Sequence, residues 1–311
     1  MAIRAVTRSA LARGWEVYGV SQGFAGLIAA PAEGKIRKLE ARDVGGILGL
    51  GGTVLGSARA KEFHDPKVRS RGIENLAALG VDTLVVIGGN GSQTGAHALS
   101  VQGLEVIGIA STIDNDLAGS DVTLGVDTAL NVAVDAVDKL RVTSSSHRRA
   151  SIVEVMGRNS GYIGVSVGVA TGAEAIVVPE VEVSPVEVAW RIADAYDRGK
   201  HHAIVIVAEG AHYGAQELAA ILERDHRERI RFDMRVTVLG HIQRGGTPTV
   251  ADRLLGARFG AHAVDCIARG ELGVLVGIRG VDLVTTPLAQ VVGRQKPIDL
   301  ELVELAHMLA R

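Results

Sequence analysis

The stretch LVVIGGNGSQTGAHAL, from Leu84 to Leu99, decides the fold class of this chain. An apolar run leads into a glycine-rich turn, and a helix-forming segment follows. This order is typical of a βα unit whose turn binds phosphate. The turn reads GGNGS, and Asn90 at its centre is a neutral amide where a metal-dependent phosphate site prefers a carboxylate. The turn alone therefore fits a nucleotide loop, a weakened nucleotide loop or a tight turn without a ligand.

Continuous apolar runs like the one before this turn recur along the chain. They are WEVYGV, TLVVIGG, LEVIGIA, ASIVEVMG, EAIVVPE, HAIVIVAEG, RVTVLGH and VLVGIRG. Continuous rather than alternating runs are typical of parallel strands that helices cover on both faces. Helix signals lie between them, including Ser184, Pro185 and Glu187, which predict a capped helix start. The pattern predicts an α/β fold of two Rossmann-like, doubly wound lobes with mostly parallel sheets in three αβα layers.

Composition excludes several classes of protein. The 311 residues carry a net charge of −2, which argues against non-specific binding to nucleic acid. The single cysteine, Cys266, excludes an internal disulfide and fits the reducing cytosol. No apolar run reaches the ~18 residues of a spanning helix, and the first residues lack the order of a secretory signal. We therefore expect a cytoplasmic protein without a membrane or nucleic-acid partner.

Polar loops follow most of the predicted strands, and ligands of open α/β sheets gather at the carboxyl ends of strands. GSARAKEF, with Arg59, follows a strand expected to end at Thr53–Leu55. The later loops are GGNGS, STIDND with Asp114 and Asp116, MGR with Arg158, EG with Glu209, and HIQRGG. These loops are the candidate site.

The residue types in these loops point to phosphoryl transfer. A lone Asp-x-Asp is usually a turn and helix cap, and a lone arginine is usually a solvated charge. In an extended loop, however, Asp114 and Asp116 point the same way and can share a site. Arginine forks match phosphate oxygens. Carboxylates and arginines on neighbouring loops together suit transfer of a phosphoryl group to a hydroxyl.

Several blocks of the sequence together resemble those of a known family. STIDND, SSSHRRASIVEVMGRNSGY and RVTVLGHIQRGGTPTVADR resemble the active-site blocks of bacterial ATP-dependent phosphofructokinases. GGTVLGSARAKEF and VVIGGNGS resemble the nucleotide blocks of that family, and all blocks occur in the family's order. The glycine turn alone would also suit NAD kinases or diacylglycerol kinases, which the other blocks exclude.

The resemblance implies transfer of a phosphoryl group from magnesium-ATP to the 1-hydroxyl of fructose 6-phosphate, a step of glycolysis. Asp114 is the implied base, and Asp116 and Thr112 would assist at the transferring group. The implied sugar-phosphate residues are Met156, Gly157, Arg158, Glu209, His241 and Arg244. The implied nucleotide residues are Arg59, Gly89, Asn90, Gly91 and Ser92. Asp116 and, weakly, Asn90 are the implied contacts of Mg²⁺.

The resemblance also implies contacts between subunits. Arg149 and Arg235 match arginines that reach the substrate of a neighbouring subunit, which implies a homotetramer. The implied effector site comprises Arg4, Arg8, Arg141 and Glu174. Leu50 replaces an arginine expected there, which argues against regulation by a nucleoside diphosphate or phosphoenolpyruvate.

The expected lobes are residues 1–125 plus 243–293, which would bind nucleotide, and residues 126–242 plus 294–311, which would bind sugar phosphate. The family's first strand and glycine-rich phosphate loop would lie upstream of Met1, so we expect the chain to have lost them through a misassigned start. The missing loop, together with Asn90 and Leu50, leaves an alternative interpretation open. In it, the chain is a catalytically weak paralogue that serves as a regulatory or structural subunit. A pyrophosphate-dependent enzyme is less favoured, because such relatives carry Asp and Lys where this chain has Gly91 and Ser111.

Overall fold

The structure is a computed structural model that describes residues 1–309. The strands are β1 (Tyr18–Val20), β2 (Ile36–Lys38), β3 (Thr83–Gly88), β4 (Glu105–Ala110), β5 (Arg149–Val155), β6 (Ala175–Val177), β7 (Ala203–Ala208), β8 (Asp233–Val238), β9 (Val274–Arg279) and β10 (Asp282–Pro287). The helices are α1 (Ala2–Leu11), α2 (Phe24–Leu27), α3 (Pro66–Ala77), α4 (Asn90–Val101), α5 (Val126–His147), α6 (Tyr162–Thr171), α7 (Pro185–Asp197), α8 (Ala215–Asp225), α9 (Val250–Ala268), α10 (Leu288–Val291) and α11 (Leu300–Leu309).

The first of two compact units comprises Met1–Thr112, Leu117–Gly125 and Thr247–Gln295. Its main sheet has the strand order β10-β9-β4-β3, with β3, β4 and β9 parallel and β10 antiparallel. Helices α4, α9 and α10 pack against this sheet. Helix α1 lies against α9 at Gly260, where a Cβ would lie only 2.6 Å from the Cβ of Ala5. The small residue therefore permits close packing of the two helices.

The second unit comprises Ile113–Asp116, Val126–Gly246 and the described residues from Lys296 onward. Its sheet is fully parallel, in the order β6-β7-β5-β8. Successive residues of β5 enter different cores: Ile152 packs with α7 and α8, whereas Val153 packs with α5, α6 and α11. Side chains of a strand alternate between its faces, so both faces of this sheet are covered and the unit has three αβα layers.

Most of the predicted strands are confirmed, and the α/β class with mixed and parallel sheets flanked by helices is as expected. The predicted cap of α7 is also confirmed, because the Ser184 hydroxyl accepts the N–H of Glu187 at 3.2 Å. The Glu187 side chain instead accepts hydrogen bonds from Arg191, one turn further along the helix. Local patterns therefore predicted these elements well.

The prediction of a strand ending at Thr53–Leu55 is wrong. The Gly56 N–H donates to the carbonyl of Thr53 at 3.1 Å, and Gly56 has φ +70°, so the chain forms a turn there. The predicted strand WEVYGV is reduced to β1, which pairs antiparallel with β2 in a separate two-stranded sheet. Strand β10 was not predicted, because its sequence DLVTTP lacks a continuous apolar run.

Within residues 1–309, every helix is too short or too polar to cross a membrane.

Candidate active site

The carboxyl ends of three neighbouring strands build the candidate site in the second unit. Glu209 follows β7, Arg158 lies three residues beyond β5, and a 3₁₀ helix at Gly240–Arg244 follows β8 with His241 and Arg244. Since β7, β5 and β8 are adjacent and parallel, their following loops emerge at the same edge of the sheet. Residues from distant parts of the sequence are thereby brought to one edge.

Asp114 is the buried carboxylate of this cluster. It belongs to the short segment Ile113–Asp116 of the second unit, and it is 8% exposed. Burial raises the pKa of Asp114, and the nearby carboxylates of Asp116 and Glu209 raise it further. The guanidinium groups of Arg158 and Arg244 lower the same pKa. The structure therefore brings together these five predicted residues as one interacting set of charges.

The loop after β5 has a backbone that few other sequences could adopt. Gly157 has φ +151°, and a Cβ there would lie 2.3 Å from the carbonyl oxygen of Ser160. Arg158 has φ +54°, in the left-handed region. A Cβ on Gly210 would lie 1.8 Å from the carbonyl oxygen of Arg158, so the loop after β7 contacts this loop directly.

Two acceptors hold the loop after β5 in this conformation. The Glu209 carboxylate accepts the backbone N–H of Arg158 at 2.7 Å. The side-chain oxygen of Gln243 accepts the backbone N–H of Met156, also at 2.7 Å. Sequence reasoning missed Gln243, because its partner lies far away in the sequence and a glutamine beside charged residues carries no local signal.

Arg149 and Arg235 lie away from this edge. Arg149 is the first residue of β5, and Arg235 is the third residue of β8. Both pair with the Asp233 carboxylate, at 3.5 Å and 2.7 Å. Within one chain, the structure therefore does not bring these two arginines to the carboxyl ends of the strands.

The predicted nucleotide residues lie in the first unit. Helix α4 begins at Asn90, with Gly89 as its N-cap and Gly91 and Ser92 in its first turn. This arrangement leaves backbone N–H groups at the start of a 12-residue helix, where anions bind favourably. A Cβ on Gly91 would meet nothing within 4 Å, so open space lies beside it. Thr112 is near the turn, since a Cβ on Gly89 would lie 3.1 Å from the Cβ of Thr112.

Arg59 is exposed in an irregular segment of the same unit rather than after a strand. Gln93 is a second residue that sequence reasoning missed. Its buried side-chain nitrogen lies 2.9 Å from the carbonyl oxygen of Gly88 and 3.2 Å from that of Ile109. It thereby ties the ends of β3 and β4 together just before the glycine turn.

The predicted effector residues belong to both units. Arg141 and Glu174 line an open cleft of about 370 Å³ in the second unit, together with Lys200, His201 and His202. Lys200 lies 2.8 Å from the buried carboxylate of Glu174, and burial lowers the pKa of His202. The other predicted members, Arg4 and Arg8, lie on α1 of the first unit. Leu50, which replaces the expected arginine, is 55% exposed in that unit.

Comparisons with known proteins show the family to which the chain is similar. A family model described as Phosphofructokinase matches residues 1–267. An ATP-dependent 6-phosphofructokinase of Halalkalibacterium halodurans is 46% identical over 309 residues, which cover 99% of this chain and 94% of that protein. One of Streptococcus suis is 49% identical over 92% of this chain and 83% of that protein.

Among solved structures, a phosphofructokinase of Saccharomyces cerevisiae aligns with a TM-score of 0.84 at 33% identity. The alignment covers 98% of this chain but only 43% of the yeast chain. The matches of sequence and of fold extend over nearly the whole chain. The chain belongs to the phosphofructokinase family.

Proposed function

We propose that this chain is a glycolytic kinase that transfers a phosphoryl group from ATP to the 1-hydroxyl of fructose 6-phosphate. The observation that carries the proposal is the buried Asp114, which interacts with Asp116, Arg158, Arg244 and Glu209 at the carboxyl ends of parallel strands. The curated relatives at 46% and 49% identity, which carry the name of this activity, support it.

Asp114 acts as the general base. Its carboxylate takes the proton of the sugar 1-hydroxyl while the hydroxyl oxygen attacks the γ-phosphorus of ATP, and ADP leaves with the electrons of the broken bond. Burial makes Asp114 a stronger base than an exposed aspartate, because its pKa is raised. Arg158, Arg244 and His241 bind the 6-phosphate, together with Glu209 and the backbone at Met156 and Gly157. Asp116 and Thr112 assist at the transferring group.

ATP is the proposed donor rather than pyrophosphate. The N–H groups at the start of α4 would face its phosphates, with Gly89, Ser92 and the exposed Arg59 on the same unit. The open space beside Gly91 supports this choice, since an aspartate there would place a negative charge against the nucleotide phosphates. The uncharged side chain of Ser111 also supplies no positive charge to bind a small donor such as pyrophosphate.

Mg²⁺ would be held mainly by the phosphates of ATP. The described residues contain no group of three or more His, Cys, Asp or Glu side chains able to hold a metal. This fits Mg²⁺, which typically takes one or two carboxylates and keeps water and phosphate ligands. The Asp116 carboxylate raises the pKa of Asp114, which is a second sign of fit, because a cation relieves such repulsion. We propose Asp116 as the main protein contact and the Asn90 amide as a weak one; the bound ion would neutralise charge at the transferring group.

Arg149 and Arg235 would serve the substrate site of a neighbouring copy in a homotetramer. Their position toward the amino ends of β5 and β8, away from Asp114 and its neighbours, supports a role in another subunit. Mixing Asp114→Asn and Arg149→Ala protomers tests this, because mixed assemblies contain some sites with both native residues. Recovered activity supports the proposal, and its absence in demonstrably mixed assemblies contradicts it.

The cleft at Arg141 and Glu174 is the proposed effector site. The family resemblance implies that this site lies between subunits and that Arg4 and Arg8 are further members. The Nε atom of Arg141 is buried and has no hydrogen-bond partner within the described part of the chain, which favours an anionic ligand. The exposed Leu50 adds no charge to that site. We therefore expect weak binding of nucleoside diphosphate or phosphoenolpyruvate, to be measured by calorimetry with each.

The activity itself is tested by measuring fructose 1,6-bisphosphate formation with magnesium-ATP and, separately, with magnesium-pyrophosphate. Turnover with ATP and little with pyrophosphate supports the proposed function. Turnover with pyrophosphate alone would overturn the donor, and no turnover with either would overturn the catalytic proposal for this chain.

A further inference from the structure

The side chain of Gln243 connects two of the loops that carry the candidate site. It lies in the 3₁₀ helix after β8, between His241 and Arg244, and is 1% exposed. Its Oε1 accepts the backbone N–H of Met156 at 2.7 Å, at the start of the loop that leads to Arg158. One amide therefore links the backbone before Arg158 to the helix that carries Arg244.

The orientation of this amide follows from its partner. The Met156 N–H is a donor, so the side-chain oxygen must face it and the nitrogen must point the other way. That nitrogen is buried and has no hydrogen-bond partner among residues 1–309. An unpartnered buried donor destabilises a protein, so the glutamine is a poor choice for stability alone. Of the two polar atoms of this side chain, the oxygen makes the hydrogen bond, to the Met156 N–H.

We propose that Gln243 is a positioning residue for Arg158 and Arg244, the arginines of the two loops that its side chain joins. The proposal rests on the proposed function, in which Arg158 and Arg244 bind the sugar phosphate. Without the Gln243 oxygen, the Met156 N–H has no acceptor and the loop after β5 separates from the 3₁₀ helix. The guanidinium groups of Arg158 and Arg244 then lose their fixed position relative to each other, so they bind a phosphate group less tightly.

The test compares Gln243→Met with Gln243→Glu. Methionine fills nearly the same volume but has no strong acceptor, whereas glutamate keeps an oxygen for the Met156 N–H. For Gln243→Met we expect KM for fructose 6-phosphate to rise about tenfold, with a much smaller change in KM for ATP. Gln243→Glu should keep KM for fructose 6-phosphate closer to the wild-type value than Gln243→Met does.

A readout that needs no catalysis is the Kd of inorganic phosphate without sugar or ATP, followed by the side-chain NMR signals of Arg158 and Arg244. In Gln243→Met we expect this Kd to rise about tenfold, since both arginines are released. The melting temperature should change little, because the substitution removes one unpartnered donor, the Gln243 nitrogen, while it leaves another, the Met156 N–H, without an acceptor. A purely structural role would instead lower the melting temperature and leave the Kd of phosphate unchanged.

Two variants control for general effects. Gln216 is exposed on α8, and Gln216→Met should change neither the Kd of phosphate nor KM. Gln93→Met removes a buried amide of the first unit and should leave the Kd of phosphate at Arg158 and Arg244 unchanged. An unchanged Kd and an unchanged KM in Gln243→Met would overturn the positioning role. A raised Kd of phosphate in Gln243→Met, in a protein whose wild type lacks fructose 6-phosphate kinase activity, would support the positioning role and overturn the proposed function alone.

Discussion

The Glu209 carboxylate accepts the backbone N–H of Arg158 at 2.7 Å, so a carboxylate predicted to contact substrate also shapes the loop beside it. The neighbouring Gly210 lies too close to Arg158 for any side chain. The loops after β5 and β7 are therefore in direct contact, joined by this hydrogen bond and by the packing at Gly210. Two substitutions at Glu209 should distinguish the effect of its negative charge on Asp114 from its role as the hydrogen-bond acceptor of the Arg158 N–H.

We expect Glu209→Leu to raise KM for fructose 6-phosphate by about fivefold, because the Arg158 N–H loses an acceptor worth about 1 kcal/mol. Glu209→Gln keeps an acceptor oxygen and should raise KM less. It also removes a negative charge that raises the pKa of Asp114, so the acidic limb of the pH–rate profile should move to lower pH. Equal KM values for the two variants would contradict the acceptor role.

Asp114→Asn should lower kcat by about 10²- to 10⁴-fold, because the amide cannot take the proton of the attacking hydroxyl. The same substitution should stabilise the protein at neutral pH. A carboxyl whose pKa is raised on folding favours the folded state most below its unfolded pKa, near 3.8, and that contribution is lost as pH rises through the folded value.

Chemical denaturation at pH 7 and at acidic pH measures this effect, which should shrink toward acid. Asp135→Asn, on the exposed side of α5, is the matched control and should leave kcat unchanged. A stabilising effect of Asp114→Asn that grew toward acid would contradict the raised pKa.

Arg244→Gln should move the acidic limb of kcat/KM to higher pH. Arg244 lowers the pKa of Asp114, so its removal leaves the base protonated over a wider pH range. The shift should be smaller in high salt, because Arg244 is exposed and its charge is screened. Arg224→Gln, on α8, removes an exposed arginine that does not act on Asp114 and should leave the profile in place.

The open space beside Gly91 makes donor choice testable. Gly91→Ala should keep both the melting temperature and kcat/KM for ATP near wild type. Gly91→Asp should lower kcat/KM for ATP by about tenfold or more, through repulsion of the nucleotide phosphates rather than through misfolding. Kinetics with ATP and thermal melting of both variants separate these causes, and an equal loss in both would contradict the charge argument.

Asn90→Asp should lower the Mg²⁺ concentration needed for half-maximal rate, since a carboxylate is a better ligand of Mg²⁺ than an amide. An acidic residue in the first turn of α4 also interacts favourably with the helix dipole, by about 0.3–1 kcal/mol. Rates measured over a Mg²⁺ series at fixed ATP give the answer. An unchanged requirement would show that Asn90 causes no deficit.

Local patterns predicted the elements whose formation depends on local burial. Runs such as HAIVIVA became the fully buried strand β7, because parallel strands between two helical layers require apolar residues at every position. The segment at Thr53–Leu55 has the apolar composition of a strand end, but it forms a turn that is closed by the Gly56 N–H. Composition alone does not distinguish the two. Strand β10 forms only because β9 is beside it, and no pattern within its own residues indicates that partner.

The candidate site shows the same limit. The family motifs indicated Asp114, Arg158 and Arg244, and their predicted roles stay predictions. Gln243 could not be found, because its acceptor oxygen has meaning only once β5 and β8 are paired and Met156 lies beside it. Residues that hold other residues in place depend on the tertiary fold and carry little signal of their own.

Strand β8 lies at the edge of its sheet, with Asp233 and Arg235 exposed along it. An uncharged edge strand can pair with the strand of another molecule, and charged side chains on the edge oppose such aggregation. In a single protomer, the charges of Asp233 and Arg235 therefore oppose uncontrolled pairing through this edge. Variants that remove both charges should be checked by light scattering before any lost activity is attributed to catalysis.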